Sequence, residues 1–279
     1  MRSSTAESNK RVKPIALNSY QEATRAVRNG QIDPSLFDLF SFARQTKNSK
    51  AVKTEEECRR ELCQDAYSEM LKALDVKEDY DLSTLEGTKW INDQVLNAFA
   101  FCHALEAGNA VVFPSEFYCK LTQNDTLENH TDIKCWTTNP NALYWNIFEF
   151  PAIFFVVNLA GSHWALVSCD VTRRIITMYD SSGKESYRQD RQSCLMMIKQ
   201  YLEEEYTRKT KLTSCWETRE AECAQQTDTN SCGVFVCRFI ELLLQGEENL
   251  SMDKCFGDFT IETMRSRVGK EIREHISSL

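Results

Sequence analysis

Gln225-Gln226-Thr227-Asp228-Thr229-Asn230-Ser231-Cys232-Gly233 runs without a break into Val234–Leu244, an apolar stretch interrupted only by Arg238 and Glu241. A polar, turn-forming segment gives way to a helix that is apolar nearly all round, and such a helix is buried in a core. The stretch therefore predicts a buried helix over 232–244 with Cys232 at its N-terminus. Backbone N–H groups at that end favour an anion, and cysteine attacks only as the thiolate. Cys232 is thus a candidate nucleophile. Gly233 puts little bulk beside the sulfur, so a substrate can approach closely. The alternative is a buried structural cysteine, the role expected for Cys169, Cys194 and Cys237.

Upstream the period changes. Ile153–Leu159 is a continuous run of β-branched and aromatic residues, the pattern of a buried strand. His163–Val171 and Ile175–Asp180 predict two more strands, joined by Thr172-Arg173-Arg174. A hairpin about that turn brings the start of one strand beside the end of the other, and so His163 beside Asp180. Of the four histidines, His163 alone heads a strand; His103 falls within a helix and His275 near the chain end. His163 is the candidate base. Asp180 is the candidate acid that accepts the imidazole N–H and stabilises the imidazolium, although a turn-forming role before Ser181-Ser182-Gly183 also fits it. Asp170 competes for the same role from the wrong end of the hairpin. Gln226, six residues before Cys232, can donate with the Cys232 N–H to a developing oxyanion. Gln225 lies beside it, and a solvated loop glutamine is the alternative.

Around this core, Glu55–Leu74 carries apolar residues at helical spacing. Trp90-Ile91-Asn92-Asp93 opens a helix with Ile91, Val95, Phe99, Cys102 and Leu105 on one stripe, ended by Gly108-Asn109. Pro114-Ser115-Glu116 starts another helix, and Gln192–Tyr206 is amphipathic. A strand is expected around Leu212–Trp216. A last helix places Ile261, Met264, Val268, Ile272 and Ile276 on one face, with Asp258 or Thr260 as cap. The fold class is α+β: a central mixed sheet flanked by helices on both faces. Residues 1–56 read as a partly ordered N-terminal extension with a short helix over Pro34–Ala43, and 57–279 as one domain.

The formal net charge of −8 disfavours nucleic acid as the main partner and suits a partner with a basic surface. Twelve cysteines without a secretory signal predict reduced thiols, in the nucleus or cytoplasm. Unused glycosylation sequons at Asn124, Asn129 and Asn249 follow from the same reading. No Cys-x-x-Cys pair occurs, so structural zinc is not expected, and no apolar run reaches the ~18 residues that span a bilayer.

Three blocks together resemble the ubiquitin-like-protein-specific (SUMO/sentrin) cysteine proteases: Trp90-Ile91-Asn92-Asp93-Gln94-Val95; His163-Trp164 with Asp180-Ser181 seventeen residues on; and Gln226 through Cys232-Gly233. The resemblance covers about residues 60–279. It implies the papain-like architecture of that protease type and a triad of Cys232, His163 and Asp180, with Gln226 in the oxyanion hole. It further implies a tunnel walled by Trp90 and Trp164 for the modifier's Gly-Gly tail, and pairing of Asp93 with a modifier arginine. A first-turn helix acid is the plain alternative for Asp93. The implied activity is that of a thiol protease or isopeptidase, monomeric, needing no cofactor. Its partner is a SUMO-type modifier and its conjugates. Ubiquitin or another modifier as substrate, acetyl transfer by a related triad, and an inactive modifier-binding module are the alternatives. Two departures stand out: the family usually carries Asp where this chain has Ser231, and often Pro where it has Ala224.

Overall fold

The structure, a computed structural model, describes residues 54–122, 137 and 143–279. The helix expected over 34–43 and the sequons at Asn124 and Asn129 lie outside them. The chain divides after Cys58, and the unit 59–279 holds the sheet and the site.

The elements run α1 (Glu55–Leu74), α2 (Asp93–Ala107), β1 (Ala110–Phe113), α3 (Ser115–Thr122), β2 (Ala152–Leu159), β3 (His163–Asp170), β4 (Ile175–Tyr179), α4 (Arg188–Thr210), β5 (Glu217–Glu220), α5 (Cys232–Leu244), α6 (Met252–Phe256) and α7 (Ile261–Ser278). The sheet order is β1-β2-β3-β4-β5. The outer pairs β1–β2 and β4–β5 are parallel, and the inner pairs β2–β3 and β3–β4 are antiparallel. The sheet is therefore mixed, as expected.

Alternation along the strands sorts side chains onto two faces. On one, Phe113 stacks on Phe155 with centroids 4.7 Å apart, and Phe117 of α3 meets Tyr201 of α4 at 4.9 Å. On the other, Tyr179 of β4 faces Phe239 of α5 at 6.1 Å. Helix α2 packs behind α5, with α7 beside both. This sandwiching changes the expectation for α2. Instead of a single apolar stripe, every residue from Val95 to Cys102 is buried.

The helix ends follow local chemistry. Asn92 caps α2 by accepting the Val95 N–H at 3.1 Å. Gly108 closes it in the left-handed region at φ 64°, where a Cβ would also strike Arg60 Cγ at 2.7 Å. Thr260, one of the two expected caps, starts α7 through a reciprocal bond pair with Thr263.

One strand lies elsewhere than expected. Leu212 is exposed, and the strand begins after Trp216, at Glu217. Trp216 is buried, its backbone N–H goes to the Glu203 carboxylate at 3.0 Å and its indole N–H to the Ser214 hydroxyl at 3.2 Å, so the residue anchors the strand's entry. Strand β1 is too short for its alternation to be read from sequence.

Candidate active site

The β3–β4 hairpin sets the first two groups. Leu166 pairs with Tyr179, so the head of β3 and the residue after β4 lie at the same end of the hairpin. There His163 Nε2 is 2.5 Å from Asp180 Oδ1, with both residues buried. Asp180 Oδ1 also accepts the Ser182 N–H at 2.8 Å, and Oδ2 accepts Arg191 Nη1 at 3.0 Å. Tyr187 stacks on the imidazole with centroids 4.8 Å apart. Asp170 sits at the far end, where its carboxylate takes the Arg173 N–H at 2.7 Å. It is not the histidine's partner.

Cys232 is the first residue of α5, 4% exposed, and close enough to His163 to help raise the imidazole's pKa. Because Nε2 is committed to Asp180, Nδ1 is the ring nitrogen left for the thiol. Burial alone would lower the His163 pKa. The bonds and charges of Asp180 and Cys232 outweigh it and raise the pKa to about 9. Burial likewise pushes the Asp180 carboxyl up, but the bonds from His163 and Ser182 and the charges of His163 and Arg191 hold it below its ordinary range. By contrast, burial pushes the thiols of Cys169, Cys194 and Cys237 up, which makes them inert at neutral pH. His103 and His275 bind Glu271 and Glu106 at the α2–α7 contact.

The loop before Cys232 is fastened to the segment after β4. The Gln226 N–H donates to the Ser181 carbonyl at 2.7 Å, and Gln226 Oε1 accepts the Ser181 hydroxyl at 2.8 Å. Gln226 Nε2 gives one hydrogen to the Asp228 carbonyl at 2.9 Å, which leaves its second for an oxyanion. Gln225 is turned the other way, onto the Asp180 carbonyl at 2.9 Å.

Gly233 corrects an expectation. The space at its missing side chain is not an open approach for substrate: a Cβ there would meet Ile91 Cβ at 3.0 Å. The glycine lets the segment before α2 lie against α5. That segment is also tied to β3, because Trp164 Nε1 donates to the Ile91 carbonyl at 2.9 Å. Trp90 stands next to this junction with 55% of its surface exposed, while Trp164 is half-buried. Asp93 is half-buried in the first turn of α2, where its Oδ1 accepts the Gln94 N–H at 3.0 Å.

A thiol, an imidazole and a carboxylate in this order, on the start of a helix and the ends of two neighbouring strands, are the parts of acyl transfer through a thioester. Residues 89–279 match the model of the Ulp1 protease family, C-terminal catalytic domain. The chain belongs to that family. Human sentrin-specific protease 3 is 30% identical over 196 residues, which are 69% of this chain and 31% of that protein. Human sentrin-specific protease 5 is 27% identical over 197 residues, 70% of this chain and 24% of that protein. The chain thus spans a third or less of the length of these relatives. Among solved structures, the SUMO protease Ulp1 with its catalytic cysteine oxidised to a sulfinic acid superposes with a TM-score of 0.60. It is 21% identical and covers 79% of this chain and 96% of its own. The Ulp1 protease domain in complex with Smt3, the yeast ortholog of SUMO, has a TM-score of 0.59. It too is 21% identical and covers 75% and 95%. At that identity both speak for the Ulp1 fold alone.

Sequence reasoning missed two arginines in this Ulp1-family site. Arg191, on α4, holds Asp180, the Lys184 carbonyl at 3.0 Å and Glu220 at 2.8 Å. Arg265, on α7, reaches the Asn230 carbonyl in the loop before Cys232 at 3.0 Å. In sequence, the only signal for either was a charge on the apolar side of an amphipathic helix.

Proposed function

We propose that this chain is a thiol protease and isopeptidase that cleaves after the C-terminal Gly-Gly of a ubiquitin-like modifier of the SUMO type. The observation that carries the reading is the convergence of Cys232, at the start of α5, on the buried hydrogen-bonded pair His163–Asp180. Its standing in the family and the names of the sentrin-specific relatives supply the substrate class.

In this reading the Cys232 thiol gives its proton to His163 Nδ1, and the sulfur attacks the carbonyl carbon of the modifier's last glycine. The C=O bond becomes a C–O single bond, and the oxyanion lies between the Cys232 N–H and the free hydrogen of Gln226 Nε2. Collapse breaks the C–N bond. His163 returns its proton to the leaving amine, a lysine side chain or a propeptide terminus. Water then attacks the thioester carbonyl, with His163 taking a proton and Asp180 stabilising the imidazolium; collapse breaks the C–S bond, releases the modifier's carboxyl end and returns the proton to the Cys232 sulfur. Trp90 and Trp164 wall a slot that admits glycines and excludes larger side chains. Asp93, near its mouth, pairs with an arginine of the modifier. The chemistry requires a reduced thiol, which suits the nucleus or cytoplasm, and the chain acts as a monomer.

The test is covalent labelling with modifier-based electrophilic probes, run in parallel with SUMO and ubiquitin tails. Wild type labels with the SUMO probe and Cys232→Ala does not. Equal labelling of the two proteins rejects the nucleophile. Preference for the ubiquitin probe rejects the substrate class.

A further inference from the structure

Asp228 and Arg265 grip a single peptide unit from opposite ends. Asp228 Oδ1 accepts the N–H groups of Asn230 and Ser231, both at 2.9 Å, and Oδ2 accepts the Ser231 hydroxyl at 2.6 Å. Arg265, 3% exposed, donates Nη2 to the Asn230 carbonyl at 3.0 Å and Nη1 to the Thr84 carbonyl at 3.2 Å. The Asn230 carbonyl and the Ser231 N–H belong to the same peptide, so that plane is held by a carboxylate at one end and a guanidinium at the other.

The next peptide joins Ser231 to Cys232. Its carbonyl accepts the Val234 and Phe235 N–H groups at 2.8 and 3.1 Å. Peptides are planar and trans, so the Cys232 N–H points away from the helix, toward the place where an oxyanion forms. Between the two planes only the dihedrals of Ser231 are free, and its hydroxyl bond to Asp228 limits them. Burial lowers the Arg265 pKa, and the charges of Asp228 and Cys232 oppose that shift. A buried guanidinium without a counter-charge is strongly destabilising, and Asp228 supplies one.

Ser231 occupies the position where the family that this chain resembles usually carries aspartate. Here the carboxylate sits three residues earlier and reaches the same peptide through the serine. We infer that Asp228, Ser231 and Arg265 form a clamp that positions the Cys232 N–H as oxyanion donor, with the acidic group displaced from 231 to 228. The inference rests on the proposed acyl-transfer reading. The three are positioning residues, since they act through the backbone of Cys232.

Two measurements test it. The first is amide hydrogen exchange by NMR, read without substrate. Asp228→Ala speeds exchange at Ser231 by at least about tenfold, because the acceptor of its N–H is gone. The second is steady-state cleavage of a modifier-tail substrate. Asp228→Ala lowers kcat by about 10- to 100-fold, the scale of a misplaced catalytic donor, and leaves KM within about twofold. Asp228→Asn lowers kcat by about tenfold, and adding Ser231→Asp in the same chain restores it to within about threefold of wild type, since the carboxylate is returned to the clamp. Arg265→Gln behaves like Asp228→Ala. Because Asp228 sits on a half-exposed loop, its variants decide the matter even if Arg265→Gln fails to fold. Unchanged exchange, unchanged kcat in Asp228→Ala, or a double variant no better than Asp228→Asn overturns the clamp. A wild type that exchanges as expected but cleaves no modifier tail leaves the clamp standing and removes the proposed function instead.

Discussion

Arg191 Nη1 lies 3.0 Å from Asp180 Oδ2, the carboxylate oxygen that His163 does not use. With one oxygen held by an arginine and the other by an imidazole and the Ser182 N–H, the Asp180 side chain has no rotational freedom left. The carboxylate is thereby aimed as well as charged. Arg191→Met removes the aim and leaves Asp180 buried with less compensation. Stability falls by about 3 kcal/mol, the scale of a broken buried ion pair, and kcat falls by about tenfold or more with KM little changed. Chemical denaturation and steady-state kinetics on the same preparation check both parts. Arg191→Lys recovers little, because one ammonium does not replace the guanidinium fork that spans Asp180 and Glu220.

The titration of His163 sets a stability profile with a definite sign. Its folded pKa is raised to about 9, against about 6.5 for an unfolded histidine. The folded state therefore holds the proton more tightly. The stabilisation is fully present below about pH 6.5 and is lost as pH rises through about 9. Asp180, with a depressed pKa, works in the opposite direction: its contribution is present above about pH 4 and is lost as pH falls through its folded value. Urea denaturation of the wild type from pH 6 to 10 shows a decline across the upper window. His163→Gln flattens that decline, and a curve of unchanged slope in the variant would reject the assignment.

Gly233→Ala probes the contact between the nucleophile's helix and the segment before α2. The new methyl meets Ile91 Cβ at 3.0 Å, and overpacking of this kind costs about 1–3 kcal/mol. Only Ile91→Gly removes that Cβ, so Gly233→Ala costs less in an Ile91→Gly background than it does alone. Thermal melts of the two single variants and the double variant measure the coupling.

Trp90 and Trp164 separate binding from folding. Trp90 is 55% exposed, so Trp90→Ala changes stability by no more than about 0.5 kcal/mol. If Trp90 walls the proposed slot, the same change raises KM for a modifier tail by about tenfold. Trp164→Phe loses the bond to the Ile91 carbonyl and lowers stability by about 1 kcal/mol. A Trp90→Ala protein that binds and cleaves like wild type would show that the exposed indole takes no part in recognition.

The parts of the site that were legible in sequence are those where chemistry and periodicity coincide on neighbouring elements. The hairpin turn put His163 and Asp180 at one end because an antiparallel register leaves no other choice. The apolar run after Cys232 put the sulfur at a helix start. Trp90-Ile91-Asn92-Asp93 read as a helix opening, and the structure makes Asn92 its cap. What escaped depends on contacts between segments far apart in the chain. Arg265 bonds to Asn230, 35 residues away, and to Thr84, 181 residues away. Nothing in the local pattern around a helical arginine records such partners. The expected stripe on α2 failed for a related reason, since a helix sandwiched between others carries apolar residues on every side and its period is erased. Strand β5 was misplaced because Glu-Thr-Arg-Glu carries no apolar alternation; the backbone of β4, and not burial, recruits it.

The edge strand β5 is therefore a polar row with three charged residues among its four, largely open to water. A short, charged rim is a poor template for another chain to zip against. Copies of the protein crowded together meet those charges in each other. The sheet that fixes the histidine and the aspartate is in this way shielded from edge-to-edge aggregation on that flank.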